Sequence, residues 1–202
     1  MPFNKANLER FTAFWVRLAR DVERTDDAVR LENAHLPMLE VNAVHALEPT
    51  NSTVLVLPEG QRPAGYRLEG ELALFKPQVT TDETVWVEQV PWSRAEALAC
   101  VWCESVGALA WRTEVSTEFA RALQSQPDLL AFLALEGDTA TGMMLASSDG
   151  FAGVTAGSDR ALRALLARGA QDFERFTVSL EATRASTLDG VVLATLEVWI
   201  SH

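Results

Sequence analysis

The sequence predicts an α/β protein, a mixed sheet flanked by helices with an auxiliary α/β unit ahead of it. Three observations carry that fold class. Strand-like and helix-like apolar periods alternate through the second half of the chain. The stretch GVTAGSDRALRALLARGAQD, Gly153 to Asp172, runs from an apolar strand through a Gly–Ser–Asp turn into a strong helix. Of 202 residues 48% are hydrophobic, with six Trp and nine Phe, enough for a sizeable core.

In the first half, Asn7 is positioned to cap a helix through LERFTAFWVRLARDVER. Leu8, Phe11, Trp15, Leu18 and Val22 recur at helical steps and give it one apolar face. AVRLENAH reads as a strand, and LPMLEVNAVHAL as a loop or short helix. STVLVLP is a clear strand, and YRLEGELALF a strand or hairpin interrupted at Gly70. The polar stretch KPQVTTDET reads as a linker, with a boundary near Val79 to Thr84. The expected division is residues 1–82 and residues 83–202.

The second half is more legible. TVWVEQV is a strand, Ser93 to Val106 a helix capped by Ser93, and STEFARALQSQ a second helix capped by Ser116 or Thr117. Leu129 to Leu135 and Ala140 to Ser147 form a hairpin around a Glu136–Asp138 turn. GFAGVTA is a strand, SDRALRALLARGAQD a helix with Leu162, Leu165 and Leu166 inward, and RFTVSLEAT a strand. TLDGVVL fills a gap before ATLEVWIS, the last strand. A helix between two strands of one sheet makes GFAGVTA and RFTVSLEAT parallel neighbours with a right-handed crossover.

Charge and composition exclude some classes of function. The net charge is −11, spread over both halves, with no basic cluster. That composition does not suit a nucleic-acid backbone or an anionic membrane surface. No apolar run approaches the ~20 residues that span a bilayer. Cys100 and Cys103, the two cysteines, form CVWC inside the helix after Ser93. A redox pair sits at a helix N-terminus, so a buried structural pair in a cytoplasmic protein is expected. No metal-ligand spacing occurs. His35 and His45 read as core or surface groups. The cluster Trp86, Trp92, Trp102 and Trp111 reads as core or domain seam, the alternative being an aromatic acceptor pocket.

The element order of the second half resembles the GNAT superfamily of acyl-CoA-dependent N-acyltransferases. LLAFLALEGDTATGMMLASSDGFAGV is similar to that family's second to fourth strands, with Gly142 just after the start of one of them. ALRALLARGAQD is similar to the helix that follows, and FTVSLEAT to the fifth strand. The resemblance spans roughly Thr84 to Leu196. The first half is similar to the auxiliary half found before many such domains.

This resemblance implies acetyl-CoA as cofactor, bound where strand meets helix. In the family a Gln/Arg-x-x-Gly-x-Gly/Ala turn offers backbone amides to the CoA pyrophosphate, the anion chemistry of a helix N-terminus. The matching positions are Val154, Ala156, Gly157, Ser158, Asp159, Arg160 and Arg163. The signature itself is incomplete here, since neither alignment of the turn supplies its glycines. Asp159 adds negative charge, while Arg160, Arg163 and Arg168 are the only basic residues between Arg121 and Arg175. For a base the resemblance implies an acid, and Glu181 and Asp149 are the candidates. The family's tyrosine acid has no counterpart, because Tyr66 is the only tyrosine and lies in the first half. The implied function is transfer of an acetyl or other acyl group from acyl-CoA to an amine on a small molecule or peptide. The alternative is a non-catalytic protein of that fold, acting in CoA or ligand binding or in assembly. Neither nucleic acid nor membrane is expected as a partner, and the chain is expected as a monomer or homodimer.

Overall fold

A computed structural model describes residues 5–78 and 84–202. The chain forms two compact units. The first comprises Met1–Phe75, Ser179–Leu188 and Val192–His202, and the second Lys76–Val178 and Asp189–Val191. This differs from the division expected at residue 82: the boundary falls between Phe75 and Lys76, and Ser179–Leu188 as well as the end of the chain belong to the first unit. The end of the chain joins the first unit because its last strand pairs there. Most of the junction expected at Val79 to Thr84 lies outside the described residues.

In the first unit, helix α1 (Lys5–Val16) is followed by strands β1 (Asp21–Arg24), β2 (Ala28–Glu32), β3 (Val44–Ala46) and β4 (Val54–Pro58). Strand β5 (Tyr66–Pro77) and the last strand β11 (Gly190–Ser201) lie mostly in this unit as well. β1, β2 and β3 pair antiparallel in turn, β3 and β4 pair parallel, and β11 lies antiparallel on β4, with Val198 opposite Val56. The helix expected to reach Arg24 stops at Val16, and DVER is strand β1. Val22 is therefore an exposed strand residue, while Leu8, Phe11, Phe14 and Trp15 fill the apolar face of α1. LPMLEVNAVHAL becomes a short 3-10 turn (Leu39–Val41) and β3. Asn42 organises that segment. Its amide donates to the carbonyls of Leu36 and Met38, and its side-chain oxygen accepts from the amide of Asn33. YRLEGELALF is one continuous strand rather than a hairpin.

Alternation along β3 puts Val44 and Ala46 on one face, packed with Leu55 and Leu57. His45 therefore faces the other way, where its ring lies 5.2 Å from that of Phe11. His45 Nε2 lies 2.8 Å from the Glu40 carbonyl, and Nδ1 lies 3.0 Å from the Thr12 hydroxyl. A carbonyl only accepts, so Nε2 carries the proton and Nδ1 accepts from Thr12. The imidazole is neutral, and burial pushes its pKa down to about 4.

The second unit is a sheet between two helical layers. Strands β6 (Trp86–Val90), β7 (Leu129–Glu136), β8 (Thr139–Ser147) and β9 (Phe151–Ala156) pair antiparallel in sequence. Helices α2 (Ala95–Ser105) and α3 (Arg112–Ser125) lie on one face, and α4 (Asp159–Asp172) on the other. Strand β10 (Thr177–Glu181) begins here, and the amide of Thr177 donates to the carbonyl of Gly150, just ahead of β9. The two strands start side by side, so they run parallel with α4 as their crossover, and the sheet is mixed. Leu162, Leu165 and Leu166 are fully buried, as their spacing predicts.

Some helix boundaries differ from expectation. Ser93 sits in a 3-10 turn ahead of α2, and α3 begins at Arg112, four residues before Ser116. Beyond β10, the residues read as strand turn into the short helix α5 (Ala182–Ala185). Trp86, Trp92 and Trp111 are 70%, 51% and 41% exposed, so they are not core residues. Trp86 lies on β6, which pairs with β7, and Arg168 donates from α4 to the Val87 carbonyl of the same strand.

Two glycines set how closely α4 packs. A Cβ on Gly142 of β8 would lie 2.9 Å from Leu165 and 3.1–3.2 Å from the Cβ atoms of Ala156 and Ala161. A Cβ on Gly169 of α4 would lie 2.2 Å from the ring of Phe176. In an exposed helix, Gly→Ala gains about 1 kcal/mol of stability. Here overlap with the ring reverses the sign. We expect Gly169→Ala to destabilise by about 1–3 kcal/mol, the usual cost of overpacking. Chemical denaturation checks this, and a stabilised variant would show that Phe176 gives way freely.

His45 predicts a pH dependence. Its folded pKa lies near 4, below the ordinary 6.5, so between those values the unfolded chain binds the proton better. The stability it supports is complete above pH 6.5 and lost as pH falls towards 4, by about 3 kcal/mol in all. Denaturation at pH 7.5 and pH 4.5 should show that loss, and His45→Gln should shrink the difference between the two pH values. An unchanged difference in the variant would assign the acid sensitivity to other groups.

Candidate functional site

The β9–α4 turn is short. β9 ends at Ala156, α4 begins at Asp159, and only Gly157 and Ser158 lie between. Ser158 has extended backbone and is the N-cap, its hydroxyl accepting from the amide of Ala161 at 3.0 Å. The same hydroxyl donates to the carboxylate of Glu136 at 2.5 Å. Thr141 donates its hydroxyl to the same Glu136 oxygen at 3.3 Å.

A β-bulge produces this arrangement. Leu135 opposes Ala140 while Ala134 opposes Gly142, so Thr141 is the extra residue of β8. Its carbonyl accepts from the amide of Gly157 at 2.8 Å. The β7–β8 hairpin is thus bonded to the β9–α4 turn through one backbone hydrogen bond, Gly157 to Thr141, and one hydroxyl hydrogen bond, Ser158 to Glu136. The amide of Gly157, expected to face a pyrophosphate, is committed to Thr141. Glu136, read from the sequence as a turn residue only, lies at the start of α4.

The other expected cofactor residues are distributed as follows. Val154 and Ala156 lie on the α4 face of β9, opposite Met144 and Gly142 of β8. Gly153, Val154 and Thr155 are partly exposed in a strand whose other residues are buried. Thr155 donates to Ser105 at the end of α2. Asp159 and Arg160 are exposed in the first turn of α4, and the Arg160 guanidinium donates to Thr84. Arg163 is half-buried one turn on. Arg168 bonds Asp172 at 2.7 Å and the Val87 carbonyl at 3.2 Å, and its guanidinium lies over the Phe132 ring. It braces α4 against β6, away from the turn.

The two expected bases lie in different surroundings. Asp149 is exposed ahead of β9, beside the Ser147 hydroxyl. Six strand residues at about 3.3 Å each put it roughly 20 Å from the start of α4. Glu181 is exposed at the end of β10, in the first unit. Its charge acts on Glu40, whose carboxyl is pushed above the usual range, mainly by burial and further by Glu181. Glu40 gave no signal in the sequence, because the pairing joins residues distant along the chain. Tyr66 donates to the Ser52 and Thr50 carbonyls and accepts from the Ser52 amide, so it fastens a loop of the first unit.

Cys103 is fully buried and Cys100 partly so, neither at the start of α2. The Cys100 thiol donates to Glu104, which raises its pKa, and burial raises that of Cys103. Both therefore remain thiols. Among the described residues, no group of three or more His, Cys, Asp or Glu is placed to hold a metal ion. No described helix is long and apolar enough to cross a membrane.

Comparison with solved structures places this geometry. A GCN5-related N-acetyltransferase from Kribbella flavida superposes with a TM-score of 0.61 at 12% identity, over 97% of this chain and 94% of that one. A functionally unknown conserved protein from Staphylococcus epidermidis ATCC 12228 gives 0.60 at 9% identity, over 91% and 94%. A GCN5-related N-acetyltransferase-like protein from Streptococcus suis 89/1591 gives 0.50 at 10%, over 98% and 99%. No protein-family model matches the chain, and no curated protein matches its sequence. With a mixed sheet between helices, a parallel β9–α4–β10 crossover and these structural likenesses, the chain has the fold of the GCN5-related N-acetyltransferases.

Proposed function

We propose that this chain binds an acyl-CoA along β9 and the start of α4, and transfers the acyl group, acetyl in the simplest case, to an amine. The observation that carries the reading is the β9–α4 corner: a partly exposed strand middle leads into a Ser-capped helix with Arg160 and Arg163 on its first turns. The structural likeness to N-acetyltransferases supports acyl-CoA binding or transfer in general.

The residues present fit the group in part. The backbone of Gly153 to Thr155 would hold the pantetheine arm. Arg160, exchanging Thr84 for a phosphate oxygen, and Arg163 would hold the phosphates. An acyl-CoA supplies an activated thioester carbonyl. The chain must then keep the amine unprotonated, and Glu181 and Asp149 are the acids that the family resemblance offers for that role. The acidic surface would draw a cationic amine toward the protein. The chain would work in the cytoplasm.

A second reading, a non-catalytic ligand-binding or assembly protein of the same fold, is favoured by one observation. The only tyrosine, Tyr66, is committed to the loop at Thr50–Ser52.

Calorimetry with acetyl-CoA tests the proposal. Binding should weaken about tenfold or more in Arg160→Ala, the loss of a charged hydrogen bond. It should tighten in Asp159→Asn and weaken with added salt. No heat and no thermal shift at millimolar ligand would reject the proposal. Binding with no turnover of an amine panel would favour the second reading.

A further inference from the structure

We infer that Glu136 is an internal anion that closes the β9–α4 turn, and that an acyl-CoA phosphate enters only when this carboxylate leaves. The inference rests on the proposed function and adds a control to that same site. A helix N-terminus attracts negative charge, and its first amides seek acceptors. In this chain a carboxylate from a different strand already lies there. Glu136 ends β7, and its carboxylate is bonded to the hydroxyl that caps α4.

The manner of its holding supports the inference. Among the described residues Glu136 has no ion pair, and its partners are two hydroxyls, Ser158 and Thr141, on the same oxygen. Neither hydroxyl belongs to its own strand, and one is the bulged residue of β8. The side chain is half-buried, with solvent on one side to receive it. Both hydroxyls can rotate to other acceptors, and Ser158 would still cap Ala161 after releasing Glu136. Displacement therefore costs hydrogen bonds but leaves no cation unpaired.

The charge balance points the same way. With Glu136 in place, the start of α4 carries two carboxylates, Glu136 and Asp159, and two guanidiniums, Arg160 and Arg163. Adding a pyrophosphate to that group brings like charges together. Withdrawing Glu136 restores a net positive corner. The control is therefore a competition between a tethered carboxylate and a phosphate for one hydrogen-bonding corner.

The test uses inorganic pyrophosphate and acetyl-CoA on the full chain, with Glu136→Gln as the principal variant. The amide keeps the size and can still accept from Ser158, so the cap is retained while the charge is removed. Glu136→Gln should bind pyrophosphate at least tenfold more tightly than the unmodified chain, with amide shifts in the nuclear magnetic resonance spectrum confined to residues 157–163. Thr141→Val removes one of the two hydroxyls and should give a smaller gain in the same direction. Equal pyrophosphate affinity in Glu136→Gln and the unmodified chain would overturn the inference, as would shifts centred elsewhere. If the unmodified chain binds acetyl-CoA as tightly as the variant, this control falls and the proposed function stands. A pyrophosphate gain without acetyl-CoA binding in either protein keeps the control and removes the acyl-CoA reading.

Discussion

The second unit depends on how closely α4 can approach the sheet. Gly142 on β8 and Gly169 on α4 remove the two side chains that would hold them apart. Leu162, Leu165 and Leu166 then bury completely. A Leu side chain withdrawn from water contributes about 1.5–3 kcal/mol, so three of them outweigh the roughly 1 kcal/mol that a helical glycine costs. The helix pays that glycine penalty because the ring of Phe176 needs the space. Phe176 in turn leads into β10, so the packing of α4 fixes where the parallel strand begins.

The same approach shapes the turn. With Ala156 opposite Gly142, β9 ends beside the bulge at Thr141. The bulge turns one carbonyl toward Gly157 and one hydroxyl toward Glu136. A regular ladder would leave those groups pairing across the hairpin. The start of α4 is thus set by a register irregularity in the neighbouring strand, β8. Its electrostatic character follows from which hairpin residue the bulge brings near.

The strength of each sequence signal explains what could be read in advance. The α4 segment was legible because cap, helical leucine spacing and flanking strands agree over many residues. DVER was misread because its residues continue a helical pattern by composition, while tertiary pairing with β2 makes it a strand. The α3 start was misplaced because Ser116 looks like a cap, yet Arg112 to Val115 already lie in the helix. The tryptophans were read as core or domain seam because they cluster in one stretch, yet Trp86 is exposed on β6, the edge strand of the sheet among the described residues. Around the β9–α4 turn, Ser158 and the arginines could be named in advance because they are adjacent in sequence. Glu136 and Thr141 were not, because no local pattern reports that a bulge will bring them to a helix 20 residues on. Glu40 and Glu181 illustrate the same limit over a longer span.

Three glutamates show what holding a carboxylate entails. Glu118 is 1% exposed and pairs with Arg121 at 2.8 Å, so its burial is compensated by an opposite charge. Glu197 is 8% exposed and accepts from two N–H groups, the amide of Gly60 and the indole of Trp199. Each oxygen of Glu197 therefore has its own fixed donor. Glu136 has neither arrangement, since both of its donors are rotatable hydroxyls directed to one oxygen. Removing the charge of Glu118 or Glu197 would leave a half-buried guanidinium partner or fixed donors unsatisfied, at about 1–3 kcal/mol for each such group. Releasing Glu136 leaves hydroxyls that can find other acceptors and a half-exposed carboxylate that can return to water. Of the three, the carboxylate held least firmly is the one at the start of α4.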